Sequence, residues 1–250
     1  MPESPLAIVL AAGKGTRMKS DLPKVLVPVL GRPMIEYALA ALGAAGVARV
    51  AVVVGYRADL VRQTLAGRPE IAFIDQREQR GTGHAVMVCR ELLADQTGPV
   101  LIVAGDSPLM QSRSLATLLR DFDTRRAACL LGTGYKPNPA GLGRIVRDAA
   151  GQFQSIVEEK DATAAQRQIT EVNLSCYVFA GPDLLFALDR LDNRNAQGEY
   201  YLTDCPGILL EAGRPVRALA VLQPCESLSI NTMEELAVVE REMQKLALPP

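Results

Sequence analysis

Along the first half of the chain, short runs of aliphatic and β-branched residues alternate with stretches whose apolar positions recur at helical spacing. That alternation predicts βαβ units and a largely parallel sheet. Leu6 to Leu10 is uninterrupted apolar sequence, as expected of a central strand covered on both faces, and Gly13 and Gly15 break it. Pro33 to Ala45 reads as a helix with Ile35, Leu39 and Leu42 on one face. Val50 to Val54 follows as a second buried strand and Ala58 to Leu65 as a second helix. Ile71 to Ile74 is a third strand, Thr82 to Leu93 one helix, and Val100 to Val103 a fourth strand ending at Gly105-Asp106.

Beyond about Ser112 the pattern changes. A helix from Ser114 to Phe122 leads to a strand from Ala128 to Thr133, and Lys136 to Gly143 is a loop rich in Gly, Pro and Asn. Arg144 to Arg147 and Gln154 to Val157 are short alternating segments, and Val172 to Phe179 is a further strand. Thr232 to Leu246 carries acidic residues in its first turn and apolar positions at helical spacing, so it is a closing helix. No repeat or low-complexity linker divides the chain. The expectation is one α/β domain over residues 1–250 with a first lobe to about 110, an elaborated second lobe from about 111 to 225, and a closing segment at 226–250.

A hydrophobic fraction of 48% excludes a disordered chain. The 27 Lys and Arg against 28 Asp and Glu leave a net charge of −1, which argues against a basic nucleic-acid groove or a polybasic membrane patch. An anionic substrate must then be met by a few placed cations and a metal. The five cysteines are scattered and form no C-x-x-C pair, as expected of free thiols in a reducing compartment. Met1-Pro2-Glu3-Ser4-Pro5 lacks the features of a signal peptide, and no apolar run approaches the ~20 residues that span a bilayer. A cytoplasmic protein is expected.

The most informative segment is Leu10-Ala11-Ala12-Gly13-Lys14-Gly15-Thr16-Arg17-Met18, with Lys24 downstream. Glycines at a strand end let backbone N–H groups face a concavity that takes phosphate oxygens. Arg17 can fork onto such oxygens and Lys24 adds a compact charge. Together they offset a triphosphate and stabilise a pyrophosphate leaving group. Neither the Walker spacing nor G-x-G-x-x-G is met, since Met18 closes the pattern. Gln76 and the turn Gly81-Thr82-Gly83 offer a planar amide and backbone groups that suit the edge of a pyrimidine, although Thr82 also reads as a helix cap. Asp106, past a strand at the carboxyl end of the sheet, is a hard ligand suited to Mg²⁺. His84, the single histidine, has no nucleophile near it in sequence and reads as structural.

The LAAG opening and TRM ending of this segment resemble the signature of the sugar-nucleotidyltransferase superfamily. In particular they resemble the N-terminal uridylyltransferase domain of bacterial bifunctional N-acetylglucosamine-1-phosphate uridylyltransferases. The likeness returns at Gln76 to Ala85, Gly105-Asp106, Gly143-Arg144-Ile145, Ile156 to Thr163, Glu171-Val172-Asn173 and Asn195 to Asp204. It implies the nucleotide-diphospho-sugar transferase fold: a Rossmann-like mixed, mostly parallel sheet flanked by helices, with an elaborated sugar-binding lobe.

The same resemblance implies UTP and N-acetylglucosamine 1-phosphate as substrates, Mg²⁺ as cofactor, and UDP-N-acetylglucosamine and pyrophosphate as products. Leu10, Ala11, Ala12, Gly13, Gly15, Thr16, Arg17, Lys24, Gln76, Gly81 and Thr82 would then hold the nucleotide. Arg17, Lys24 and Asp106 would be catalytic, Gly143, Glu158 and Asn173 would hold the sugar, and Asp106 and Asn231 the metal. Two departures leave the sugar open: Ala104 stands where the relatives usually carry tyrosine, and Leu174-Ser175 where they usually carry Thr-Gly. The same chemistry on glucose 1-phosphate with UTP or dTTP is the nearest alternative, and a catalytically silent sugar-nucleotide sensor is the alternative of another class. Pro250 is reached without the hexapeptide repeats of the relatives' β-helix, so acetyl transfer and the β-helix trimer are not expected. Monomer and small homo-oligomer are both open.

Overall fold

The computed structural model describes residues 4–18 and 20–246, with the side chain of Thr16 outside that description. The elements follow in chain order: β1 (Leu6–Ala11), β2 (Pro28–Val29), β3 (Arg32–Pro33), α1 (Met34–Ala44), β4 (Arg49–Val54), α2 (Ala58–Thr64) and β5 (Ile71–Asp75). Next come α3 (Thr82–Met87), α4 (Arg90–Ala94), β6 (Pro99–Ala104), α5 (Ser112–Arg125) and β7 (Cys129–Tyr135). The remainder is β8 (Arg144–Arg147), β9 (Phe153–Val157), β10 (Glu171–Ala180), α6 (Gly181–Leu188), α7 (Cys205–Glu211), β11 (Val216–Ala220) and α8 (Met233–Lys245).

Among the described residues the main sheet has nine strands, with the path β11-β7-β10-β6-β1-β4-β5 and the β8–β9 hairpin attached to β10. Along that path only β10 runs against the others; the parallel pairs are β1–β4, β1–β6, β4–β5 and β7–β11. This is the mixed, mostly parallel sheet the sequence led us to expect. Why the strands read as continuous apolar runs is visible in how they sort. Ile8, Ala51, Val53 and Ile102 face a core with Leu93, Leu184 and Leu188 of the helices on one side. Their neighbours Val9, Val50, Val52, Leu101 and Val103 face a second core with Ile35, Leu42, Leu118 and Phe122 on the other. Alternation survives in three dimensions but is invisible in composition, because both faces are covered.

The third core places the closing helix. Leu236, Val239 and Met243 of α8 pack with Met18, Val27, Val29, Met34 and Tyr37. The C-terminal helix therefore sits on the connection between β1 and α1. Thr232 caps α8 by accepting from Glu235 N–H, while Glu235 accepts in return from the N–H groups of Thr232 and Asn231. Asn231 is thus fixed beside the loop that follows β1.

Three features depart from the sequence reading. The helix expected over Thr82 to Leu93 is two helices, broken where Cys89 N–H bonds back to Val86 carbonyl in a tighter turn. The spacing hid the break because Val86, Cys89 and Leu93 all stay on the buried side. Thr82 does not cap its helix: Gly81, with φ +103°, takes the N-cap position, and the Thr82 hydroxyl accepts from Leu202 N–H instead. Finally, α6, α7, β11 and the β2–β3 ribbon have no counterpart in the sequence reading.

Candidate active site

The strand order turns back at β1, with β4 on one side and β6 on the other. At such a switch point the carboxyl ends of adjacent strands leave a crevice. A cavity of about 390 Å³ lies there, lined by Leu10, Ala11, Ala12, Gly13, Lys24, Gln76, Gly81, Thr82 and Asp106 together with Val25, Gln79, Ala104, Ser175 and Glu199 among others. A second cavity, about 310 Å³, shares Lys24 and adds Lys14, Gly15, Arg17 and Asn231. Residues scattered over more than two hundred positions of sequence therefore meet around one lysine.

The loop after β1 takes its shape from that lysine. Gly15 has φ +67°, and a Cβ on it would lie 2.7 Å from Lys24 Cβ, so only glycine lets the two backbones close up. Nothing lies within 4 Å of a Cβ on Gly13, whose open side faces the cavity. Lys24 Nζ pairs with Asp106 Oδ2 at 2.5 Å and donates to Asn231 Oδ1 at 3.1 Å. Arg17 Nη2 donates to the same Asn231 oxygen at 2.8 Å. Two hard oxygens from distant parts of the chain thus gather on one cationic head. That donor set suits Mg²⁺, which is commonly held by one or two protein oxygens plus phosphates and water. No group of three or more His, Cys, Asp and Glu side chains that could hold a metal occurs among the described residues.

At the β5 end of the crevice the Gln76 side chain is buried. Its Nε2 donates to Gly81 carbonyl at 3.1 Å and lies 3.1 Å from His84 Nδ1. The Gly81 carbonyl accepts only, so it fixes the orientation of the amide, and His84 must then accept at Nδ1 and carry its proton on Nε2. Gln76 Oε1 makes no hydrogen bond among the described residues. His84 is a support for Gln76, in keeping with a structural histidine.

Gly143, Glu158 and Asn173, the trio expected to hold the sugar, also come together, but beside the cavity and not in its lining. Asn173 N–H donates to Gly143 carbonyl at 2.9 Å, and Glu158 Oε1 would lie 3.6 Å from a Cβ on Gly143. Thr203 Oγ1 donates to Glu158 Oε1 at 3.0 Å. Burial raises the Glu158 carboxyl pKa, against a lowering by that hydrogen bond. The adjacent Glu159 serves a different purpose: hydrogen bonding from Arg144 holds its carboxyl below the usual range, and the pair closes at 2.7 Å over the buried Arg144. A larger cavity of about 600 Å³ behind α6 and α7 is lined by Arg190, Asp192 and Asp204 among others, and Arg17, Lys24 and Asp106 do not reach it.

Three residues to which the sequence reading assigned no role also line the cavity: Gln79 and Glu199, inside stretches it singled out, and Ser175, one of its departures. The Asn195 to Asp204 stretch is a strap over the turn at Gly81-Thr82-Gly83. Tyr200 carbonyl accepts from Gly83 N–H, Tyr200 N–H donates to Arg80 carbonyl, and a Cβ on Gly81 would strike Tyr200 carbonyl at 2.5 Å. These contacts hold the strap against the turn and leave Glu199 lining the cavity. The cysteines contribute nothing to the site: Cys89, Cys129, Cys176 and Cys205 are free and buried, and burial raises their thiol pKa values. Among the described residues no helix is long and apolar enough to cross a membrane.

Comparison with known proteins gives the family and the fold. The chain is 44% identical to the bifunctional protein GlmU of Streptococcus gordonii over 239 residues, 96% of this chain and 52% of that one. Against GlmU of Limosilactobacillus fermentum the identity is 45% over the same shares, and against that of Pelotomaculum thermopropionicum it is 43% over 97% and 52%. The chain spans about half the length of these curated relatives. A solved UDP-glucose pyrophosphorylase in complex with UDP-glucose superposes with a TM-score of 0.78 at 16% identity, covering 98% of this chain and all of that one. At that identity the superposition speaks for the fold, the nucleotide-diphospho-sugar transferase fold expected from the sequence. The model of the MobA-like NTP transferase domain matches residues 7–174, from β1 past Gly143, Glu158 and Asn173. The resemblance read from the motifs thus extends over nearly the whole chain, and the chain belongs to the family of MobA-like NTP transferase domains.

Proposed function

We propose that the chain transfers a uridylyl group from UTP to N-acetylglucosamine 1-phosphate, giving UDP-N-acetylglucosamine and pyrophosphate. The observation that carries this reading is the meeting of Arg17, Lys24, Asp106 and Asn231 at the switch point. A buried, oriented amide stands at one end of the same crevice and the Gly143–Glu158–Asn173 group beside the other. The curated relatives in the preceding comparison are bifunctional proteins of about twice this length, and their likeness supports a uridylyltransferase half.

In this reading Gln76 Oε1 accepts from the uracil N3–H, while Gly81 and Thr82 border the base. Leu10, Ala11, Ala12, Gly13, Gly15 and Thr16 present backbone to the phosphates. Arg17 and Lys24 neutralise the β- and γ-phosphates. The nucleophile is a phosphate oxygen of the sugar phosphate, already ionised, so no general base is required. It forms a bond to the α-phosphorus as the bond to the α–β bridging oxygen breaks, and pyrophosphate leaves with the electron pair. The protein's task is to hold two polyanions in line and to offset their charge. Asp106 and Asn231 would hold Mg²⁺, which when bound supplies charge neutralisation at the reacting phosphates. Lys24, now on Asp106, would then turn toward phosphate oxygens. Residues to about 110 serve the nucleotide and those from about 111 to 225 the sugar, within one sheet.

Pyrophosphate release over a panel of nucleoside triphosphates and sugar 1-phosphates tests the proposal. UTP with N-acetylglucosamine 1-phosphate should give the highest kcat/KM. Ala104, half-buried on the cavity wall, favours one second reading, the same chemistry on glucose 1-phosphate with UTP or dTTP. Faster turnover with either of those pairs would replace the first assignment. No pyrophosphate from any pair, with nucleotide sugars still bound, would instead identify a sensor.

A further inference from the structure

Ser175 is the one non-glycine residue of the cavity wall held in the left-handed region, with φ +53°. It belongs to an irregularity in β10: Asn173 pairs with Thr133 of β7 and Cys176 with Gly132, so Leu174 and Ser175 bulge from the ladder. The bulge is tied by Asn173, whose Oδ1 accepts from Ser175 N–H at 3.2 Å and whose Nδ2 donates to Tyr177 hydroxyl at 2.7 Å. Asn173 is itself buried. Its amide is therefore engaged inside the protein, and what it presents to the cavity is Ser175.

On the other side, β10 pairs antiparallel with β6, Tyr177 opposite Ile102. The pairing ends there, and beyond it Ala104 of β6 and Ser175 of β10 both line the cavity. Ala104 and Ser175 thus lie just past the paired ends of adjacent strands, on the wall of one cavity. A small side chain shares that wall with a hydroxyl that makes no hydrogen bond among the described residues. A non-glycine residue in the left-handed region is strained, and strain retained on a cavity wall points to a use for the side chain.

The place of that wall decides what it meets. Gln76 follows β5 and Ser175 lies on β10, with β4, β1 and β6 between. Four strand spacings, roughly 19 Å, separate the two ends. Ser175 therefore stands with Asp106 and the Gly143–Glu158–Asn173 group, away from the base. We propose that Ser175 is a specificity-determining residue for the sugar: its hydroxyl, presented beside the space left by Ala104, hydrogen-bonds a ring hydroxyl of the hexose 1-phosphate, and Asn173 acts as its positioning residue. This rests on the transferase reading above.

The test compares wild type with Ser175→Ala and Ser175→Gly on the 1-phosphates of N-acetylglucosamine, glucose and galactose, with UTP. Both variants should lose about three- to tenfold in kcat/KM for the preferred sugar phosphate. They should lose less for at least one of the others, and the KM for UTP should hold. Ser175→Gly should also melt about 2–4 °C higher than wild type, because glycine relieves the left-handed strain, whereas Ser175→Ala should not. Activity falling while stability rises is not what a merely structural serine would show. Equal losses with every sugar phosphate, or none, would overturn the proposal. If the wild type releases no pyrophosphate with any pair, the transferase reading fails. Ser175 is then judged by the melting shifts that UDP-N-acetylglucosamine, UDP-glucose and UDP-galactose induce in wild type and Ser175→Ala. Unchanged relative shifts would reject its role in sugar choice, and altered ones would uphold it.

Discussion

Lys24 Nζ lies 2.5 Å from Asp106 Oδ2 and, at 3.1 Å, also donates to Asn231 Oδ1. An ammonium thus stands between the two oxygens proposed to hold the metal. In the proposed reaction Lys24 has one charge and two destinations, the oxygens in the free protein and the triphosphate in the complex. Lys24→Met should reduce kcat/KM by about 10²–10³, the scale for losing one preorganised charge contact at a transition state. Stability should change by less than about 1 kcal/mol, since the pair is partly solvated. In the absence of nucleotide the variant should bind Mn²⁺ more tightly than wild type, as read by electron paramagnetic resonance. Weaker Mn²⁺ binding would show that Lys24 does not compete for these oxygens. Asp106→Asn should abolish nearly all turnover while melting within a few degrees of wild type, and unchanged activity would remove Asp106 from the metal site.

Gly13 and Gly15 separate two uses of glycine. Gly15 needs its φ of +67° and its contact with Lys24, so Gly15→Ala should cost about 1–2 kcal/mol and lower the melting temperature by several degrees. Its activity should fall with the displacement of Lys24. Gly13→Ala meets nothing in the free protein and should melt within about 1 °C of wild type. A raised KM for UTP in that variant alone would mark close approach of phosphate to the backbone. An unchanged KM would remove Gly13 from the phosphate site.

Base choice should pass through His84 although His84 does not face the base. The histidine and Gly81 carbonyl together hold the Gln76 amide nitrogen, leaving the amide oxygen for a donor such as uracil N3–H. Gln76→Glu puts an acceptor against Gly81 carbonyl and should lower the UTP-over-CTP preference in kcat/KM by about tenfold or more. His84→Phe frees one side of the amide and should lower the same ratio by a smaller factor, with turnover at saturating UTP retained. If the ratio survives both changes, base recognition lies elsewhere.

These residues show how far the sequence could be read. The strands and first helices were legible because burial on both faces makes β1, β4 and β6 apolar throughout. The loop from Leu10 to Lys24 was legible because its residue types have few other uses. Position was harder. Nothing in the spacing says that Asn231 meets Lys24, since that depends on α8 packing over the connection after β1. Gln79, Glu199 and Ser175 reach the cavity through turns, a strap and a bulge, none of which has a periodicity. The Thr82 to Leu93 helix misled for the opposite reason: its buried spacing continued across a break in its hydrogen bonding.

The last prediction concerns Asp204, at the start of α7 behind the sugar-side residues. Burial, and then the charges of Glu158, Asp192 and Asp161, raise its pKa from the usual 3.8 to about 6. The folded chain therefore holds this proton more tightly than the unfolded chain does. Between about pH 4 and pH 6 the unfolded state gives up the proton first, so ionisation of Asp204 takes stability away as pH rises through that window. Above pH 6 the full penalty is present; below about pH 4 it vanishes. A two-unit shift corresponds to at most about 3 kcal/mol, and partial exposure reduces this to about 1–2 kcal/mol. Asp204→Asn keeps the shape and removes the charge. It should melt about 3–6 °C above wild type at pH 7.5, with the gap closing as pH falls toward 4. A gap independent of pH would place the effect in packing, not in charge. Because Thr203 next to it donates to Glu158, the KM for sugar phosphate should be followed in the same variant. A lowered KM would mean that the Asp204 charge opposes the incoming phosphate as well as the fold.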